Sequence, residues 1–490
     1  MVKTFLYRIC LGIIVGLFAS CSQDVKITER VEEASPLVEE YAGIIVPPNI
    51  ASVNFFVEAA DGQEALVLSC GDVQLSTICQ DGAVIPELED WKELMTEAKG
   101  KEVQVEHCVR TPEGWKAYQA FSIQVAEEDI DSHLAYRLIP PGYEMWNEMG
   151  IYQRNLENFE ESVILDNKQT DRGCMNCHSF RMQDPEQMMF HLRAKHAGTM
   201  LIQGDEITKL ETKTEQTISA LVYPYWHPSG KYIAYSVNDT KQLFHTNHAN
   251  RIEVMDLASD VVVYDVEKNE IVTAPAIFDA DVFETFPSFS PDGKTLYYCA
   301  SRRQSIPDDT EKLRYHLCAV SFDAETRTFG EKVDTLYHAE KMNKSVSFPR
   351  VSPDGKHLMF TLADFATFPI WHQEADLWML DLQEGKVECL DVLNSNSVES
   401  YHSWSSNSRW VVFSSRRMDG LYTRPYIAYV RADGTVGKSF VLPQAKGDFY
   451  DKFMNSYNIP ELIKGKVDVN RYELLQKVLD DEKKQVTSRI

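Results

Sequence analysis

Within this 490-residue chain, the stretch Cys174-Met175-Asn176-Cys177-His178 holds the most concentrated chemistry. In a C-x-x-C-H pattern two thiols three positions apart can each add to one vinyl group of a porphyrin, and the adjoining imidazole can ligate the iron. That is the attachment chemistry of c-type haem. With ten cysteines and thirteen histidines in the chain, chance placement produces this order far less than once. Two other chemistries use the same residue types. A structural zinc site needs two further ligands at matching spacing, and no second C-x-x-C or H-x3-H is present. A redox dithiol is expected beside a thioredoxin-like βαβ pattern, which the neighbouring sequence lacks. One covalent haem c is the leading expectation, with Cys174 and Cys177 as attachment points and His178 as proximal ligand.

Iron-ligand residue types crowd the sequence just downstream: Met182, Met188, Met189, His191, His196 and Met200. Thirteen residues of extended chain span up to ~43 Å, so the segment after His178 has ample length to reach the distal face. His191 is the first candidate for the sixth position, His196 the second and Met189, with Met188, the third. An open site is the alternative. Two histidines on the iron favour a low potential and His/Met ligation a higher one. The bland reading of the methionines is core packing.

Covalent haem attachment requires an exported chain in bacteria, and the N-terminus supplies an export signal independently. Lys3 and Arg8 form a positive region, Ile9 to Ser20 an apolar run of about 12 residues, too short to span a bilayer, and Phe18-Ala19-Ser20-Cys21 ends it. This resembles the lipobox of bacterial lipoproteins, which implies cleavage before Cys21 and lipidation of that residue. The expected location is the cell envelope, at the outer membrane facing the periplasm, with residues 22–47 as a tether. The net charge of -25 becomes -27 once Lys3 and Arg8 leave. Such an acidic protein is a poor partner for nucleic acid and better suited to a basic redox partner protein. Of the remaining cysteines, Cys70 and Cys79 are the best candidates for a disulfide.

The second half is organised by a repeat. It reads Tyr223-Pro224-Tyr225-Trp226-His227-Pro228-Ser229-Gly230-Lys231, then Phe286-Pro287-Ser288-Phe289-Ser290-Pro291-Asp292-Gly293-Lys294, then Phe348-Pro349-Arg350-Val351-Ser352-Pro353-Asp354-Gly355-Lys356, and finally Tyr401-His402-Ser403-Trp404-Ser405-Ser406-Asn407-Ser408-Arg409. Pro-Asp-Gly between apolar runs is turn chemistry, and each copy is followed by an alternating strand. Further strand pairs give four strands per unit, the signature of propeller blades. The repeat resembles the TolB-like (PD40) β-propellers, and the resemblance covers about residues 197–450. Residues 198–212 look like the outer strands of a further blade, giving five or six.

The expected architecture is mainly β. It comprises a signal peptide (1–20), the tether (21–47), an N-terminal β-sandwich (48–140), a short helical haem-binding segment (141–200), the TolB-like β-propeller (201–450) and a C-terminal tail with a helix around 469–484 as a surface appendage (451–490). This order also resembles a group of Bacteroidetes lipoproteins usually labelled cytochrome c biosynthesis or TolB-like proteins. The long loops between second and third strands should share one propeller face, with Asn238-Asp239, His245, His248, Arg302, Arg303, Asp364, Trp371, His372, Arg416, Arg417 and Arg424 at the channel mouth. The arginines there would pair with haem propionates or hold an anionic ligand, unless they are ordinary solvated loop residues. The favoured function is lipid-anchored, monohaem electron transfer with the propeller as docking scaffold. A haem enzyme of peroxidase or oxidoreductase type and a TolB-like binding or sensor protein with structural haem are the alternatives. No G-x-S-x-G, H-E-x-x-H or Gly-rich phosphate loop supports a hydrolase or NTPase.

Overall fold

The computed structural model describes residues 25–58, 61–140, 148–245 and 250–489. The turn chemistry is realised as expected. In the Ser290–Lys294 turn Ser290 Oγ donates to Asp292 Oδ1 (2.6 Å), which also accepts from the Lys294 N–H (3.0 Å), while Gly293 sits at φ +72°. Each such turn joins an inner strand to the next, and the repeats assemble into a six-bladed propeller.

Blades three to six follow the repeats. Their inner strands are Val222–Trp226, Val282–Phe289, Ser345–Val351 and Glu399–Trp404, each leading outwards through three further antiparallel strands. Blade two is the motif segment itself: Met175–Phe180, Gln187–Leu192, Gly198–Gln203 and Glu206–Glu211. Blade one takes His133–Ile139, Gly150–Asn155 and Glu161–Asp166 from before the motif and its inner strand, Ser456–Ile463, from the C-terminal region. The ring is thereby closed by a strand from each end of the chain.

Four expectations are corrected. The helical haem segment is β-structure, because Met188, Phe190 and Leu192 alternate with Met189 and His191, a period of two that buries both faces between neighbouring blades. The C-terminal region is not an appendage. Beyond the closing strand, the helix Arg471–Leu479 buries Leu474 and Val478, and Lys484–Gln485 and Thr487–Arg489 extend blades two and three. The N-terminal region is a seven-stranded sheet backed by the helix Leu88–Ala98, which buries Trp91, Leu94, Met95 and Ala98, with a separate two-residue ladder between Phe55–Phe56 and Ala83–Val84; it is not a sandwich of two full sheets. Its core runs without a break into propeller residues such as Trp410 and Ile427. The expected tether is folded from Ile27 onward, since Ile27–Ala34 is a strand of that sheet.

The disulfide expectation also fails. Cys70 lies beside the hairpin turn opposite Val73, whereas Cys79 follows Ile78 at the far end of the same hairpin, opposite Ala65, and both thiols are free. Among the described residues no helix is long and apolar enough to cross a membrane.

Ring closure yields a prediction. Ending the chain at residue 455 removes the buried side chains of Tyr457, Leu462, Ile463, Leu474 and Val478. At ~1.5–3 kcal/mol each this approaches the whole stability of an ordinary domain. Thermal unfolding of the truncated protein should lose its cooperative transition. A melt unchanged from the full chain would contradict the closure.

Candidate functional site

The motif is positioned by a backbone device common to all six blades. Each inner strand carries one non-glycine residue in the left-handed region: Cys177 (φ +54°), Tyr223 (+50°), Phe286 (+51°), Phe348 (+54°), Tyr401 (+36°) and Ile459 (+51°). The ladder to the second strand slips at each of these sites, the mark of a β-bulge. A bulge re-aims side chains, here towards the channel axis. The rings of Tyr223 and Phe286 (4.6 Å between centroids), Phe286 and Phe348 (4.6 Å), and Phe348 and Tyr401 (4.4 Å) pack edge-on or tilted around that axis. Cys177 and Ile459 hold the two remaining positions of this waist.

The waist separates two cavities, and Tyr401 and Ile459 line both. On the side of the long loops a cavity of about 490 Å³ is lined by Cys174, Asn176, Cys177, His191, Arg137 and Arg193. Its walls include Met149, Phe244, Ile252, Val254 and Phe368. That volume lies within the range of small-molecule and cofactor sites. Burial pushes the Cys177 thiol pKa up, against the Tyr223 backbone N–H and the charges of Arg193 and Arg137. A nucleophilic redox dithiol needs the opposite shift. Among the described residues no three His, Cys, Asp or Glu side chains converge as a metal site.

His178 is on the other side. It lines a smaller cavity of about 70 Å³ beside the turns, with Gln183, Arg350, His402 and Glu461. Neither ring nitrogen has a partner at hydrogen-bonding geometry, and Nε2 is 4.0 Å from Glu461 Oε2. Burial, reinforced by Arg137, drives its pKa down to about 3, with the Ile459 backbone opposing. The divergence follows progress along the inner strand: Cys174, Asn176 and Cys177 lie on the loop side of the waist, and His178, Ser179 and Phe180 lie beyond it. The same position in blade six is His402, and in the other four blades a proline.

Of the ligand candidates downstream, only His191 reaches the larger cavity. Its Nδ1 lies 3.1 Å from Thr199 Oγ1, and burial, with Arg193, lowers its pKa to about 4. His196 pairs through Nε2 with Asp171 (2.7 Å) away from the cavity. Met188 and Met189 are core residues with 0% exposure. In this structure neither His196 nor Met189 lines the cavity that the two motif thiols share.

The expected charged mouth is also rearranged. Asn238 and Asp239 do line the cavity, but His245, Arg302, Arg303, Asp364, His372, Arg416 and Arg417 do not. Arg303 donates to the Ala280 and Leu257 carbonyls, Arg417 pairs with Glu399 (3.2 Å), and Asp364 pairs with Lys344 (2.6 Å). Arg416 is buried 3.4 Å from the Trp371 ring, and Arg424 donates to the Asn455 and Phe453 carbonyls. His245 is exposed beyond the end of a long blade-three strand, Arg302 is exposed at a strand end, and His248 lies outside the described residues. The cavity's cations are instead Arg137 and Arg193. The sequence reading missed both, having placed Arg137 in the expected sandwich.

His372 does organise the mouth from outside it. The loop 364–375 is tied down by Ser345 Oγ donating to the Ala366 carbonyl (2.6 Å) and Ser347 Oγ to that of Thr367 (2.8 Å). It lays Phe368 over the waist, near Tyr223, Phe348 and Tyr401. His372, fully buried, pairs with Glu253 of blade three (2.8 Å) and with Glu374 (3.2 Å). The ion pair to Glu253 joins two walls of the cavity.

No family profile and no curated protein matches the chain. Among solved structures it is similar to prolyl oligopeptidase B from Galerina marginata (9% identity, TM-score 0.35, 69% of this chain and 42% of that one). It is also similar to the periplasmic gluconolactonase PpgL of Pseudomonas aeruginosa (11%, 0.34, 66% and 98%) and to a DUF4784 family protein from Bacteroides caccae (8%, 0.30, 71% and 93%). The chain spans less than half the length of the prolyl oligopeptidase, and no functional conclusion rests on these likenesses.

The loop latch makes a pH prediction. Burial opposes charge on His372, but the two carboxylates outweigh it and raise the pKa from 6.5 to about 9. A raised folded-state pKa gives stabilisation that is complete below the unfolded value and is lost as pH climbs through about 9. His372→Gln should remove on the order of 2 kcal/mol at neutral pH and flatten the alkaline fall in melting temperature. An alkaline limb identical to the wild type would contradict the latch.

Proposed function

We propose that the larger cavity holds one covalent haem c, attached through Cys174 and Cys177, and that the protein is a lipid-anchored electron-transfer cytochrome of the cell envelope. The observation that carries this reading is that both motif thiols line one cofactor-sized cavity, which His191 also lines. In attachment each S–H adds across a vinyl C=C, sulfur to one carbon and hydrogen to the other, with no net oxidation or reduction. When bound, the group supplies one-electron transfer.

The chain's own residues have separate tasks. Cys174 and Cys177 fix the group's position, and the apolar walls with Phe368 limit water around it. Arg137 and Arg193 place positive charge beside the thiols; Arg137 is itself held by the Met175 carbonyl (3.0 Å) and Asn458 Oδ1 (2.6 Å). The propeller and the N-terminal sheet form the docking scaffold, whose acidity favours a basic redox partner protein. Membrane attachment through Cys21, which lies outside the described residues, belongs to the same proposal.

A second reading is a TolB-like binding protein that uses the cavity with no haem at all. It is favoured by the placement of His178 at an ordinary repeat position facing away from the thiols. Intact mass and visible spectra of protein made alongside a cytochrome c maturation system separate the two. The haem reading expects the mass of one haem retained after denaturation and lost in the Cys174→Ser/Cys177→Ser double variant. An unmodified wild-type chain would turn the assignment to the second reading.

A further inference from the structure

We propose that an alkali-metal cation, sodium or potassium, binds between blades three and four on Asp256, Asn238, Ser259 and Tyr315; the site is independent of what fills the larger cavity. It arises from a slip in strand register. The second and third strands of blade three, Tyr232–Phe244 and Ile252–Asp265, pair Asn238 with Ser259 and Asp239 with Ala258, but Thr240 with Asp256. Leu257 is therefore an extra residue, and such a bulge re-aims the side chains beside it. The Asp256 carboxylate is buried, and Asn238 Nδ2 donates to its Oδ1 (3.0 Å). Blade four closes the other side: Thr285 Oγ1 of its inner strand lies 3.4 Å from the same Nδ2, and Tyr315 enters just ahead of its third strand.

Four oxygens of this group have no hydrogen-bond partner in the protein: Asp256 Oδ2, Asn238 Oδ1, Ser259 Oγ and Tyr315 Oη. Their residues are 2%, 7%, 2% and 0% exposed. Burial outweighs the nearby Asn238, Tyr315 and Ser259 groups and pushes the Asp256 pKa up to about 7, and the neighbouring charge of Asp239 has the same sign. A buried carboxylate is costly unless it is paired or coordinates a metal, and no described lysine, arginine or histidine pairs with this one. One carboxylate, an amide carbonyl and two hydroxyls form an all-oxygen donor set that suits a hard cation. A single positive charge cancels that of Asp256, whereas a divalent ion would leave net charge buried. Asn238 also lines the larger cavity, which gives the ion an entry path.

Melting temperatures of the full chain in sodium, potassium, calcium and choline chloride at one ionic strength test this, because matched ionic strength removes general screening. Sodium or potassium should raise the melting temperature above that in choline, increasingly with concentration, as a ligand of the folded state does. Asp256→Asn, which keeps the shape of the side chain, should abolish the difference. Wild-type crystals soaked in thallium(I) should show an anomalous peak in contact with Asp256 Oδ2. Equal melts in choline and both alkali salts, with no thallium peak there, would overturn the inference. A response to calcium alone, or one that survives in Asp256→Asn, would overturn it as well. The thallium map needs only the wild-type protein, so misfolding of Asp256→Asn leaves the test intact.

Discussion

Every blade of this propeller depends on a residue bent into the left-handed region at the same point of its innermost strand. For a residue with a Cβ that conformation costs about 1–2 kcal/mol, and the chain accepts it six times without using glycine at any of the six. The strain persists because hydrogen-bonded ladder flanks each bulge and because the bent residues meet one another around the axis. Four aromatic rings, Ile459 and the Cys177 thiol form the resulting waist. Without the bulges these side chains would continue the alternation of a regular strand, and the channel would have no partition.

The placement of the chemistry follows from that constraint. Because Cys177 is itself a waist residue, the thiols are fixed to one side of the partition, and His178, the next residue along the strand, lies beyond it. The smaller cavity thereby acquires a buried imidazole, and also Glu461, whose pKa burial raises to about 8 against the Phe180 N–H and Arg350. The larger cavity acquires two thiols, His191 and two arginines. Its outer wall is a loop from blade five latched to a strand of blade three. The site is a product of ring closure, since Arg137 and Asn458 reach it from the two strands that join the ends of the chain.

Much of this was legible in the residues. Four copies of the turn repeat, two of them with Pro-Asp-Gly, located four blades, and the C-x-x-C-H spacing located the thiols. Gly198 to Thr212 was rightly read as outer strands of a further blade. Blade two was harder to see because its inner strand lacks the aromatic-proline pair, although Cys177-His178 matches Tyr401-His402 in register. Blade one was hidden by sequence distance: Ile459-Pro460 repeats the pattern of Phe286-Pro287, but its partner strands lie more than 290 residues earlier. The methionines of Gln187–Leu192 looked like ligands because composition does not report facing, and the ladder buries them. The arginines expected at the mouth were misplaced because the same loops supply carbonyls and carboxylates that hold those guanidinium groups.

The account's central claim is covalent haem in the loop-side cavity, and an iron-edge anomalous difference map from crystals of the mature protein tests it most directly. The account predicts one peak in the cavity bounded by Cys174, Cys177 and His191, with continuous density to both sulfur atoms. Density showing two unmodified thiols, with no anomalous peak in that cavity, would contradict it.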